Sequence, residues 1–177
     1  MKALVGSLVL TLCAVTAVSA AQDARNPVSD ALRSMEQRRG KNLVEAAEDM
    51  PAEKYGFKPT PAQMSFGDVV VHLAEGNDEL CAGISGVAAP QRSKVAATDA
   101  KDKLVARLKE TFGFCEAALA KLEDSKLADK IPLFGREMTR AQVGLITVDD
   151  WADHYSQVAI YMRLNGLLPP TAKRRAM

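Results

Sequence analysis

Apolar residues recur every three to four positions in four separate stretches of this chain, the spacing of one buried face on a helix. The first stretch opens at Asn26-Pro27, a capping residue followed by proline at the first helical position. Val28, Leu32, Met35, Leu43, Ala46 and Met50 mark its inner face, and the pattern stops at Met50-Pro51. A loop with Gly56, Pro59 and Pro61 leads to the second helix, which Ser65 caps and Asp68 favours in its first turn. Its stripe is Val69, His72, Leu73, Gly76, Leu80 and Ile84. After a link through Pro90, a third helix runs from about Thr98 to Leu122, with Leu104, Leu108, Phe112, Cys115, Leu119 and Leu122 inward. The segment Ile131-Pro132-Leu133-Phe134-Gly135 reads as irregular, because no stretch alternates as a strand does. Thr139-Arg140-Ala141-Gln142 is a capping box for the fourth helix. The inner positions there are Val143, Thr147, Asp150, His154, Gln157 or Val158, Tyr161 and Leu164, and Asn165-Gly166 ends it before Pro169-Pro170. The expected fold class is all-α, a four-helix bundle.

The first twenty residues break this pattern. Lys2, an apolar run from Leu4 to Val18 and the small residues Val18-Ser19-Ala20 read as a secretory signal peptide, residues 1–20. The run falls short of the roughly 20 apolar residues that span a bilayer. The expectation is an exported protein, periplasmic or extracellular and off the membrane after cleavage, with residues 21–177 as one domain. A formal net charge of +1 provides no basic field for nucleic acid. Lys173, Arg174 and Arg175 read as a solvated end.

Cleavage would leave Cys81 and Cys115, and export would permit a disulfide. Parallel packing of helices two and three would bring both cysteines to one height; otherwise they are buried thiols that act as small core residues. The long link permits either course.

Only two histidines are present. Asp150 and His154 lie one helical turn apart, so both reach one point, and His72 could complete a set of three from a neighbouring helix. An inward carboxylate is costly unless paired or bound to a cation. Imidazole and carboxylate suit zinc, nickel or ferrous iron, and three protein ligands leave positions open. The competing reading is a core network in which Asp150 hydrogen-bonds a histidine. Gly76 weakens its helix, which makes sense where a backbone or ligand approaches. Trp151 should sit off the ligand face, against helix one or an irregular segment, and Arg163 is a surface cation.

Ser65-Phe66-Gly67-Asp68 with His72-Leu73-Ala74, Met138 to Gln142, Asp153 to Gln157, and Tyr161 to Pro170 resemble the DinB/YfiT-like superfamily, in order along nearly all of residues 21–177. The resemblance implies an up-down-down-up bundle, which favours a Cys81–Cys115 pair. It also implies a divalent metal held by one histidine of helix two and a His-x-x-x-His pair of helix four. His72 and His154 match the outer positions, and Asp150 replaces the middle histidine, giving two histidines and one carboxylate or marking a member without metal. Asp153 matches a common acidic position and should point away from the site, in a surface or supporting role. Gln157 could bond a ligand or bound water, and Tyr161 belongs to the core.

The function implied is a metal-dependent hydrolase or thiol transferase, its nucleophile a metal-activated water or thiol. The partner is then a small molecule or thiol, with homodimers common among similar proteins. The other functions compatible with these residues are a non-catalytic metal- or ligand-binding module and a disulfide-braced bundle without metal.

Overall fold

The computed structural model describes residues 26–176, so the expected signal peptide lies outside the described residues. Four long helices form the body: α1 Pro27–Asp49, α2 Phe66–Ser85, α3 Lys101–Leu119 and α4 Arg140–Leu164. A short hairpin, β1 Lys130–Leu133 and β2 Arg136–Thr139, precedes α4, and a short helix α5, Pro170–Ala176, ends the described chain.

The Ser65 cap and the Thr139 capping box form as the sequence predicts, and Asp68 completes a box at Ser65 as well. Ser65 Oγ accepts from Asp68 N at 3.0 Å and Asp68 Oδ2 accepts from Ser65 N at 2.9 Å. Thr139 and Gln142 make the same exchange at the start of α4. The cap of α1 comes from elsewhere. Asn26 does not cap its own helix; its Oδ1 accepts from Asp124 N at 2.8 Å. The Asp124 carboxylate accepts from Val28 N and Ser29 N at 3.0 and 2.8 Å, so a distant loop satisfies the free N–H groups of α1.

Cross-helix contacts establish the directions. Asn77 bonds Thr111 and Cys81 is joined to Cys115; both partners advance by four, so α2 and α3 run parallel. Gly83 packs on Val143, Asn77 meets Trp151 and Met64 meets Tyr161, so α4 runs against α2. Arg33 reaches the carbonyls of Leu119 and Leu122 while Glu48 pairs with Lys109, so α1 runs against α3. The result is the expected up-down-down-up bundle. The Cys81–Cys115 disulfide, Cα atoms 5.2 Å apart, lies fully buried between the parallel pair.

Four further expectations need correction. The segment read as irregular is a two-stranded antiparallel hairpin, Lys130 opposite Thr139 and Leu133 opposite Arg136. Phe134 and Gly135 turn it at φ of 51° and 71°, positive at both central positions as type I′ turns require. Pro132 and the short strands hid this signal. Leu164 and Val28, expected inside, are exposed at 59% and 49%, because each lies near a helix end beyond the reach of its neighbours. Trp151, expected against helix one or an irregular segment, reaches α2 and α3: its indole N–H donates to Asn77 Oδ1 at 2.7 Å and its ring meets Phe112. The basic tail is a docked helix, Lys173 pairing with Asp49 and Arg174 with Glu45 on α1. Among the described residues no helix is long and apolar enough to cross a membrane.

Candidate metal centre

His72 extends from α2, and Asp150 and His154 from adjacent turns of α4. The antiparallel course of the two helices brings them level. One ligand atom from each lies within 4.8 Å of the others. Asp150 Oδ1 is 3.3 Å from His154 Nε2 and 3.7 Å from His72 Nε2, and the two imidazole rings meet edge to face at 4.7 Å.

The site is not the enclosed core position that the stripes predict. The His154 side chain is 12% exposed and Asp150 23%, but His72 is 50% exposed. The buried arc of α2 is Val69, Val70, Leu73, Ala74, Asn77, Leu80, Cys81 and Ile84, which α2 turns towards α3 and the bundle axis. His72 stands on the flank of that arc, beside α4. The centre therefore lies in a cleft, closed at His154 and open at His72.

Behind His154 a chain of hydrogen bonds decides which ring nitrogen carries the proton. The Met64 carbonyl can only accept, so the Tyr161 hydroxyl donates to it, at 3.0 Å. The Tyr161 oxygen then accepts from Gln157 Nε2 at 3.0 Å, which turns Gln157 Oε1 towards His154 Nδ1, also at 3.0 Å. Nδ1 therefore bears the hydrogen, and the lone pair of the neutral ring is on Nε2, facing the Asp150 oxygen. Two electron-rich atoms 3.3 Å apart repel unless a cation lies between them. Without a metal, that cation is a proton: the Asp150 carboxylate holds the His154 pKa above its ordinary value, against the opposing effect of burial and with help from Gln157 and Asp153.

The donor spacing fits a divalent ion. Ligand bonds of about 2.1 Å at tetrahedral or octahedral angles place neighbouring donors about 3.0–3.4 Å apart. The two Asp150 contacts bracket the upper end of that range, and half-exposed His72 has room to close the rest.

The expected supporting residues differ in role. Gln157 orients His154 directly. Asp153 is exposed and points away, acting on His154 only through its charge. Tyr161, read as core, is 1% exposed and also anchors the orienting chain. Its role was hidden because Met64, which completes the chain, is distant in sequence.

A cavity of about 290 Å³ adjoins the centre, with His72 and Asp150 on one side. Gly76 lies in its wall. A Cβ there would meet nothing nearer than Leu80 Cδ1 at 3.9 Å, so no backbone approach explains this glycine, which costs the helix about 1 kcal/mol relative to alanine.

Comparison with known proteins agrees with this architecture. Residues 35–158 match the model of the DinB superfamily. A DinB-like protein from Bacillus subtilis superposes with a TM-score of 0.63 at 20% identity, over 76% of this chain and 91% of the other. A DinB-like protein from Bacillus cereus gives 0.61 at 16% identity, over 75% and 89%. A conserved protein from Enterococcus faecalis gives 0.59 at 15% identity, over 77% and 96%. No curated protein sequence matches the chain.

Proposed function

The chain belongs to the DinB superfamily, and on that premise we propose that it is an exported protein that binds one divalent ion, zinc, nickel or iron, through His72, Asp150 and His154. The observation that carries this reading is the chain from Met64 through Tyr161 and Gln157, which aims a lone pair of His154 at a carboxylate oxygen. A proton would relieve that repulsion between two atoms. His72, with its Nε2 3.7 Å from the same oxygen, adds a third donor, and three convergent donors favour a metal.

Two imidazoles and a carboxylate suit borderline divalent ions, and the carboxylate offsets one of the two positive charges. Such an ion supplies Lewis acidity, which lowers the pKa of a thiol or water or polarises a carbonyl. The chain's own residues do the rest. Gln157 holds the His154 ring, Asp150 bridges the two helices, and half-exposed His72 leaves one side open to the cavity. That open side supports a hydrolase or thiol-transfer activity, with a small molecule or thiol as partner. The buried disulfide supports the exported location, since oxidising compartments preserve such bonds.

Elemental analysis of protein purified without a nickel column tests the metal. Wild type should carry close to one ion per chain, His72→Ala and His154→Ala should lose it, and Asp150→His should retain or tighten it. Equal metal content in all four proteins defeats the ligand set. Consumption of a low-molecular-weight thiol with an electrophile, lost in His154→Ala, supports transfer. Full metal with no turnover leaves a binding module.

A further inference from the structure

We propose that the cavity beside the metal centre takes an organic cation, an ammonium group joined to a small apolar body. The inference builds on the metal reading, because the ion at His72, Asp150 and His154 is what would make the cavity a place of reaction. Its own support is separate.

Glu75 and Glu79 lie four residues apart on α2, so both carboxylates face the same cavity, and no lysine or arginine lines it. Two guanidiniums on neighbouring elements are committed elsewhere. Arg92 is held by Asp78 and Glu110, and Arg140 bonds the Ile84 carbonyl and pairs with Asp129. A ligand entering here meets two glutamate carboxylates, with no lysine or arginine among the lining residues.

The remaining wall is apolar. Leu80 is buried at its base, Ile146 is 38% exposed along α4, and Phe134 at the hairpin tip is 55% exposed at the mouth. Phe134 has a φ of 51°, a conformation that a bulky residue adopts at a cost, so an aromatic ring is held where the turn itself favours asparagine or glycine. Gly76 keeps the floor between the carboxylates and the apolar wall free of any side chain. The like-charged pair, the helical glycine, the exposed Ile146 and the positive φ of Phe134 are unfavourable or neutral for folding, and with Leu80 they form a slot with a negative end and a greasy side. An ammonium seated between Glu75 and Glu79, with its carbon body against Leu80, Ile146 and Phe134, satisfies both ends. An anion of the same shape does not.

The test uses three probes that share a phenylethyl body: 2-phenylethylammonium, 2-phenylethanol and 3-phenylpropionate. Each is titrated into the disulfide-bonded protein, with and without zinc, and amide shifts are followed by NMR. The ammonium should bind best, shifting Gly76, Leu80, Phe134 and Ile146. Glu75→Gln with Glu79→Gln, two substitutions at exposed positions, should weaken it about tenfold or more and leave the alcohol unaffected. Gly76→Leu should block all three probes, while Gly76→Ala should retain binding. Equal or tighter binding of 3-phenylpropionate, or no response to the paired glutamine substitutions, overturns the inference. A second zinc ion at Glu75 and Glu79 with no ammonium binding does so too. Ammonium binding by a protein that takes no zinc retains this inference and defeats the metal reading; the converse result separates them the other way.

Discussion

Replacing Glu36 with glutamine should make this protein more stable as the pH rises. Glu36 faces inward from α1 and is only 4% exposed. Phe112 lies on the same patch of α1: a Cβ on Gly40 would come within 2.9 Å of its ring and 3.3 Å of Glu36 Oε1. Burial, with a smaller contribution from Glu116, raises the Glu36 pKa from 4.5 to about 7. A group whose folded pKa exceeds its unfolded one stabilises the fold at low pH and loses that contribution as the pH climbs through the gap. Two and a half pH units at about 1.4 kcal/mol each make the ionised group cost up to about 3.5 kcal/mol above neutrality. Glutamine has nearly the same shape and does not ionise. The advantage of Glu36→Gln should thus be small at about pH 4.5, grow between about pH 5 and 7, and level off at about 3.5 kcal/mol above about pH 8. Urea unfolding of both proteins across this range measures it, and the other carboxylates cancel in the difference. A difference that stays flat with pH, or shrinks as pH rises, would refute the argument that burial governs this carboxyl.

Reducing the protein, or replacing Cys81 and Cys115 with alanine, should cost about 3–4 kcal/mol, the chain-entropy value for a separation of 34 residues; an unchanged melting temperature counts against it. Tyr161→Phe breaks the chain that orients His154 and should weaken zinc about 10–100-fold in a chelator competition while costing only about 1 kcal/mol of stability. Unchanged affinity would reduce Tyr161 to core packing. Asn77→Ala leaves the Trp151 indole N–H buried without a partner and should cost about 2–3 kcal/mol by urea unfolding, followed through the emission of the sole tryptophan; a loss below about 1 kcal/mol contradicts this.

Much of the scaffold was legible because its signals are local. Ser65 and Thr139 begin their helices where the capping boxes indicate, since a side chain bonding three residues ahead needs no tertiary partner. The i, i+4 spacing of Asp150 and His154 is likewise local, and they do share a face. What failed was long-range. The cap of α1 comes from Asp124, about a hundred residues away in sequence, which nothing near Asn26 reveals. His72 falls within an apolar repeat, yet which side of that repeat faces the axis depends on where α3 and α4 sit. Glu36 looks like one more charged residue between apolar ones, and only the docking of another helix, which brings Phe112 and Glu116 close, makes it a buried acid.

The linear chain by itself determined four amphipathic helices, the capped starts of the second and fourth, and the few side chains able to hold a cation, because helix periodicity and capping act over one or two turns. Tertiary packing decided the rest. Parallel α2 and α3 turned two cysteines into a disulfide, and antiparallel α2 and α4 brought His72 level with Asp150 and His154. Met64, met only across the bundle, oriented Tyr161, Gln157 and finally the His154 lone pair. Such contacts join residues that are neighbours only after the helices have docked, so no window along the chain contains them.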